Sequence, residues 1–167
     1  MQTAHTAAIV PIVKDIVLIG GGHAHVAVLK SFGMRPIPGV RLTLVTRDVE
    51  TPYSGMLPGL IAGFYTFEET HVDLRPLARF AGARLLHDRA IGLDLAKRRV
   101  LMEQHPQLAY DLLSIDIGST PQADGVPGAL EHATPVKPIT ALSARWAAIL
   151  ERMRAAGGIN MAAVRRD

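Results

Sequence analysis

The chain contains no cysteine, which excludes disulfide scaffolds, thiolate metal sites and dithiol redox relays. It also lacks long hydrophobic runs: its apolar stretches fall well short of a membrane span. Residues 1–13 are apolar but have no basic lead, and Lys14-Asp15 interrupts the run after them, so they read as a loose leader. A cytoplasmic protein is the default expectation. There is no internal repeat, no heptad pattern and no low-complexity tract. The 15 glycines and 11 prolines are spread as turn punctuation. Charge of one sign is weak, at +3 from 18 basic and 15 acidic residues, and the one dense basic group is Lys97-Arg98-Arg99. Scattered charge of this size is surface solvation rather than a nucleic-acid footprint.

What is present is an ordinary globular composition, 49% apolar and 20% charged, in 167 residues. That length suffices for one packed domain and is too short for two complete dinucleotide-binding domains. Ile16-Val17-Leu18-Ile19 is a continuous β-branched and apolar run, as in a parallel strand buried on both faces. It runs directly into Gly20-Gly21-Gly22. A helix is expected over 23–32, with Val26, Leu29 and Phe32 on one face and Gly33 closing it. A second strand is expected over 40–45. Strand, glycine turn, helix and strand together have the length of a nucleotide-binding βαβ unit.

Downstream, 51–63 reads as an irregular loop with a short helix. A helix is expected over 71–80, with Pro76 delaying its start or kinking it. Strands are expected over 84–94 and 99–103, joined by a basic turn, and over 110–117, ended by Gly118-Ser119. A long helix is expected over 139–156. The expected fold is α/β: a Rossmann-like domain with a parallel sheet and a small β-rich excursion.

The glycine turn suits an anion. A pyrophosphate is well placed at a helix N-terminus, where unpaired N–H groups and the helix dipole favour negative charge. Gly20 permits the tight turn, and Gly22 lets backbone approach phosphate with no Cβ in the way. In a G-x-G-x-x-G pattern the third position is small; here it is His25. The second strand departs too. Dinucleotide binders usually end it with an acid for the ribose hydroxyls, and here it ends Thr46-Arg47, with Asp48 beyond. Thr46 offers one hydroxyl, and Arg47 offers a cation for adenine or phosphate, or is simply a solvated loop charge. His23 and His25 invite a metal reading. At i and i+2 on a helix they diverge by about 200°, so no metal site is expected.

Three strings occur in order: Asp15-Ile-Val-Leu-Ile-Gly-Gly-Gly-His-Ala-His25, Thr51-Pro-Tyr-Ser-Gly-Met-Leu-Pro-Gly59 and Tyr110-Asp-Leu-Leu-Ser-Ile-Asp-Ile-Gly-Ser119. Together they resemble the FAD-binding N-terminal part of the pyridine nucleotide-disulfide oxidoreductase superfamily. The branch resembled is the one similar to type II NADH dehydrogenases and to the oxidoreductases associated with selenide, water dikinase. The resemblance covers residues 14–150. It implies that Gly20, Gly21, Gly22, His23, Ala24 and His25 meet the pyrophosphate of FAD. Thr46 and Arg47 would lie near the adenosine ribose, and Pro52, Tyr53, Ser54, Gly55 and Met56 beside the flavin. The backbone at Ala90 would meet adenine, and Gly118 and Ser119 would form the segment returning to the cofactor. Lys137, in Pro135-Val-Lys-Pro138, is a candidate for touching flavin or substrate, or is an ordinary loop lysine. Asp116, at a strand end, reads as a cap for the turn, with no catalytic role assigned.

The activity implied is that of a flavin oxidoreductase passing electrons from NAD(P)H through FAD to a small-molecule acceptor, with quinones among the acceptors. No catalytic residue is identified, no nucleic-acid partner is expected, and membrane-surface association and oligomeric state stay open. Residues 157–167 read as the start of a second nucleotide-binding unit whose glycines do not follow. The organisation expected is a leader over 1–13, the FAD-binding domain over 14–156 and a shortened second unit over 157–167, a chain truncated relative to its relatives. Two other readings remain: a non-catalytic or partner-dependent dinucleotide-binding module, and a single-domain NAD-dependent dehydrogenase. The absent acid at Thr46 and the Gly118-Ser119 segment count against the last.

Overall fold

The structure is a computed structural model that describes residues 10–119, 125–137 and 139–155. The chain divides into two compact units, with the boundary after Gly118. The expected leader lies mostly outside the described residues, and 157–167 lie wholly outside them.

The first unit is built on β1 (Lys14–Ile19), α1 (His23–Met34) and β2 (Val40–Thr46). β1 and β2 pair in parallel, from Lys14 opposite Val40 to Ile19 opposite Val45. The helix runs past Gly33 to Met34, with Gly33 set against the ring of Phe80. It stops before Pro36, whose ring disfavours the helical conformation of the residue preceding it.

The stretch 51–63 contains β3 (Glu50–Pro52), a 3₁₀ turn (Ser54–Met56) and α2 (Leu57–Ala62). After the single turn α3 (Phe67–Thr70), the expected helix over 71–80 divides. Its first part is β4 (His71–Asp73), antiparallel to β3, and the rest is α4 (Leu74–Phe80). Asp73 caps α4 by accepting from the Arg75 N–H at 2.9 Å. Pro76 then falls in the first turn, where its missing N–H costs nothing.

The expected strand over 84–94 is two strands in different sheets. β5 (Arg84–His87) pairs in parallel with β2, whereas β6 (Ala90–Asp94) pairs antiparallel with β7 (Arg99–Met102). The break falls at Asp88, whose buried carboxylate gathers N–H groups from the following turn and from 104–105. β8 (Leu108–Ala109) completes a three-stranded sheet with β6 and β7. The last expected strand shortens to β9 (Leu112–Ile115), parallel to β1.

The main sheet has the order β5-β2-β1-β9, all parallel. Period-two alternation sends its side chains into two cores. Leu18, Leu42 and Leu44 face Leu29 of α1 and Leu74 of α4. Val17, Ile19 and Val45 face Val100 and Met102 of the antiparallel sheet. One face of the parallel sheet is thus covered by helices and the other by the small β-rich excursion; the α/β class, the parallel sheet and the excursion were expected from the sequence, the placement of the excursion was not. β1 reads as continuously apolar because both of its faces are buried.

The second unit contains α5 (Ala129–His132) and α6 (Ile139–Ala155). The expected single span 14–156 therefore crosses the boundary after Gly118. No helix among the described residues is long and apolar enough to cross a membrane.

Candidate functional site

In an open parallel sheet, ligands bind outside the carboxyl ends of the strands, at the point where strand order reverses. Here that point lies between β1 and β9: the chain moves from β1 to β2 on one side and reaches β9 on the other. The glycine turn leaves the carboxyl end of β1, and Asp116 follows the carboxyl end of β9.

Hydrogen bonds tie the carboxyl ends of β1, β2 and β9 together. The Gly20 N–H donates to the Val45 carbonyl at 2.8 Å, and the Asp116 N–H donates to the Ile19 carbonyl at 2.8 Å. The Gly22 N–H returns to the Asp116 carbonyl at 3.1 Å. Gly20 has φ +91°, a conformation that side chains disfavour, and a Cβ there would strike the Asp116 backbone. A Cβ on Gly22 would strike the Asp116 carboxyl group. Both glycines are therefore required by close approach.

α1 begins at His23 with no acidic residue in its first turn, and Gly22, its N-cap, has no side chain to cap it. The cap comes from elsewhere: the Asp116 carboxylate accepts from the Ala24 N–H at 2.9 Å. Asp116 does act as a cap, and the group it caps is the helix start.

His23 and His25 part company. His23 meets the Tyr53 ring edge to face, with centroids 4.9 Å apart, and this contact brings the 52–56 segment to the helix start. His25 is buried, with Nδ1 donating to the Gly20 carbonyl at 2.6 Å. In the neutral tautomer that this carbonyl selects, Nε2 accepts from the Ser114 hydroxyl at 2.9 Å. The position that is small in the glycine pattern thus holds a side chain that pins the turn to β9. Among the described residues no group of three or more His, Asp or Glu is placed to hold a metal ion.

Thr46, at the end of β2, is buried beside Gly21, and its hydroxyl donates to the Asp48 carbonyl at 2.8 Å. The Arg47 guanidinium is exposed and grips the Asp48 carboxylate at 2.8 and 3.0 Å. The Arg47 carbonyl accepts from His87 Nε2 at 2.8 Å. Ala90 opens β6 and packs against the core cluster that contains Ile19 and Val45. Ser119 and Lys137 belong to the second unit, where Lys137 Nζ donates to the Ser119 hydroxyl at 3.3 Å. The structure therefore gathers the glycine turn, both histidines, Thr46, Tyr53 and Asp116 around the carboxyl ends of β1, β2 and β9. The Ser114 contact and the His23–Tyr53 contact were not read from the sequence. The one polar residue in Leu-Leu-Ser-Ile was the available signal for the first.

No family model matches the chain. The sulfide-quinone reductase of Aquifex aeolicus is 28% identical over 109 residues, which are 63% of this chain and 24% of that protein. The X-ray structure of the sulfide:quinone oxidoreductase from Aquifex aeolicus superposes with a TM-score of 0.67 at 25% identity, covering 85% of this chain and 32% of the other. The chain is similar to the pyridine nucleotide-disulfide oxidoreductases. NDH2 of Plasmodium falciparum, solved with NADH, shares the fold with a TM-score of 0.61 at 16% identity, over 78% of this chain and 27% of its own length. The chain thus spans about a third or less of the length of the proteins it matches.

Proposed function

We propose that the chain is the FAD-holding part of an NAD(P)H-dependent flavin oxidoreductase that delivers electrons to a small-molecule acceptor, a quinone by analogy with its relatives. The observation that carries the reading is a carboxylate already seated on the Ala24 N–H in the first turn of α1, at the switch point of a parallel sheet. It acts as a stand-in anion, and it marks a donor suited to a pyrophosphate. The two glycines leave the turn without side chains at that point, so the residues present fit a dinucleotide.

In this reading 20–25 line the pyrophosphate, with the Ala24 N–H among its donors while the Gly20 and Gly22 N–H groups stay in their backbone bonds. Thr46 and Arg47 lie toward the adenosine ribose, with Arg47 released from Asp48 to meet adenine or phosphate. The backbone at Ala90 meets adenine. Residues 52–56, held to the helix start through Tyr53 and His23, border the flavin, and Gly118 belongs to the segment that returns to the cofactor. Ser119 and Lys137, in the second unit, are assigned to the cofactor by the family resemblance alone. When bound, FAD supplies hydride acceptance and onward electron transfer, while the chain binds and orients it.

Adding FAD to the purified chain, removing excess and recording the visible spectrum tests this. Flavin bands that bleach with NADH under anaerobic conditions support the oxidoreductase. Bands that do not bleach point to a dinucleotide-binding module. A chain that retains no FAD overturns the reading.

A further inference from the structure

A pyrophosphate on α1 would meet a site that the protein itself fills. The Asp116 carboxylate takes the Ala24 N–H, and a Cβ built on Gly22 would strike its carboxyl carbon and both oxygens. The carboxyl group therefore covers the turn at the point where Gly22 exposes its backbone. Two anions at this one donor repel one another.

The backbone of Asp116 is pinned on both sides, through its N–H to Ile19 and its carbonyl to Gly22. Its side chain is held far more lightly. Its hydrogen bond is the one from Ala24, and among the described residues no ion pair involves it. Rotation about its side-chain torsions removes the carboxylate without disturbing the strand end.

We propose that Asp116 is an internal competitor for the dinucleotide: its carboxylate occupies the α1 anion site in the unliganded chain, and a pyrophosphate binds by displacing it. Such a device keeps the helix start capped before the cofactor arrives and sets the affinity of the site. The proposal rests on the FAD reading above for the identity of the full ligand, but its chemistry requires only a pyrophosphate.

The test compares the wild-type chain with Asp116→Asn, which keeps the size of the side chain and an acceptor for Ala24 while removing the charge. FAD and inorganic pyrophosphate are titrated separately against each protein. The expected result is that Asp116→Asn binds both at least about tenfold tighter. Equal or weaker binding by a folded variant overturns the competition. Should the variant fold poorly, the wild-type chain answers alone: the carboxyl carbon-13 resonance of Asp116 should move as pyrophosphate saturates the site, and an unmoved resonance at saturation overturns the proposal. Tighter pyrophosphate binding by Asp116→Asn with no FAD binding by either protein leaves the competition standing and overturns the FAD reading. Equal FAD binding by both does the reverse. If neither protein binds FAD and neither binds pyrophosphate, both are overturned.

Discussion

His105 Nδ1 lies 2.7 Å from a carboxylate oxygen of Asp88, whose side chain is completely buried while the His105 side chain is partly exposed. The same carboxylate accepts from the N–H groups of Arg89 at 2.6 Å and of His105 at 2.9 Å, with the Gln104 N–H at 3.2 Å. This one group fixes the point where the chain leaves the parallel sheet for the antiparallel one. Unpaired, it would be a costly buried charge; with these donors it is satisfied.

Burial pushes the Asp88 pKa up, but the His105 ring and the backbone N–H groups of Arg89, Gln104 and His105 together hold it down at about 2. An unfolded aspartate titrates at about 3.9. A group depressed on folding contributes stability above its unfolded pKa and loses it as pH falls through its folded value. The Asp88 contribution should therefore be complete at neutral pH and disappear between about pH 4 and pH 2. Thermal unfolding of Asp88→Asn beside the wild type should show a lower Tm at pH 7, with the gap narrowing through that window. A gap that does not change with pH would count against this role.

The His25 ring joins the glycine turn to β9 through Gly20 and Ser114. Ser114→Ala leaves a buried ring nitrogen without its partner, at a cost of about 1–3 kcal/mol. His25→Ala also opens a cavity in a buried position and should cost at least as much, about 2–4 kcal/mol. Urea unfolding of both single variants and the double variant should give a coupling of roughly 1 kcal/mol. Additive losses would show that the two residues act independently.

Alanine at Gly20 must adopt φ near +91° and place its Cβ against the Asp116 backbone. A loss of more than about 1–3 kcal/mol is expected, because strain and clash combine. At Gly22 the obstacle is the Asp116 carboxyl, a side-chain group that can rotate. Gly22→Ala should therefore unfold at a higher urea concentration than Gly20→Ala. Equal midpoints would mean that the Asp116 side chain is held as firmly as its backbone.

The local pattern of residues determined the elements with strong signals. The apolar run 16–19, the helix after Gly22, the strand over 40–45 and the long helix from Ile139 were legible because strand burial and helix periodicity are local properties. The glycine turn was legible as a tight strand-to-helix turn for the same reason: a buried strand that ends in glycines and opens a helix reverses where a side chain is disfavoured. Division of 71–80 and of 84–94 was not legible. In the first, pairing with β3 outweighed the helical pattern of His71, Val72 and Asp73. In the second, a buried carboxylate at Asp88 found its donors at 104–105, far along the chain. The partners of the site were also decided only by tertiary structure. Ala24 and Asp116, His25 and Ser114, and His23 and Tyr53 meet because the sheet sets β9 beside β1 and the β3 segment beside the helix start. Contacts between residues so distant in sequence depend on register and strand order, which a reading of local pattern does not contain.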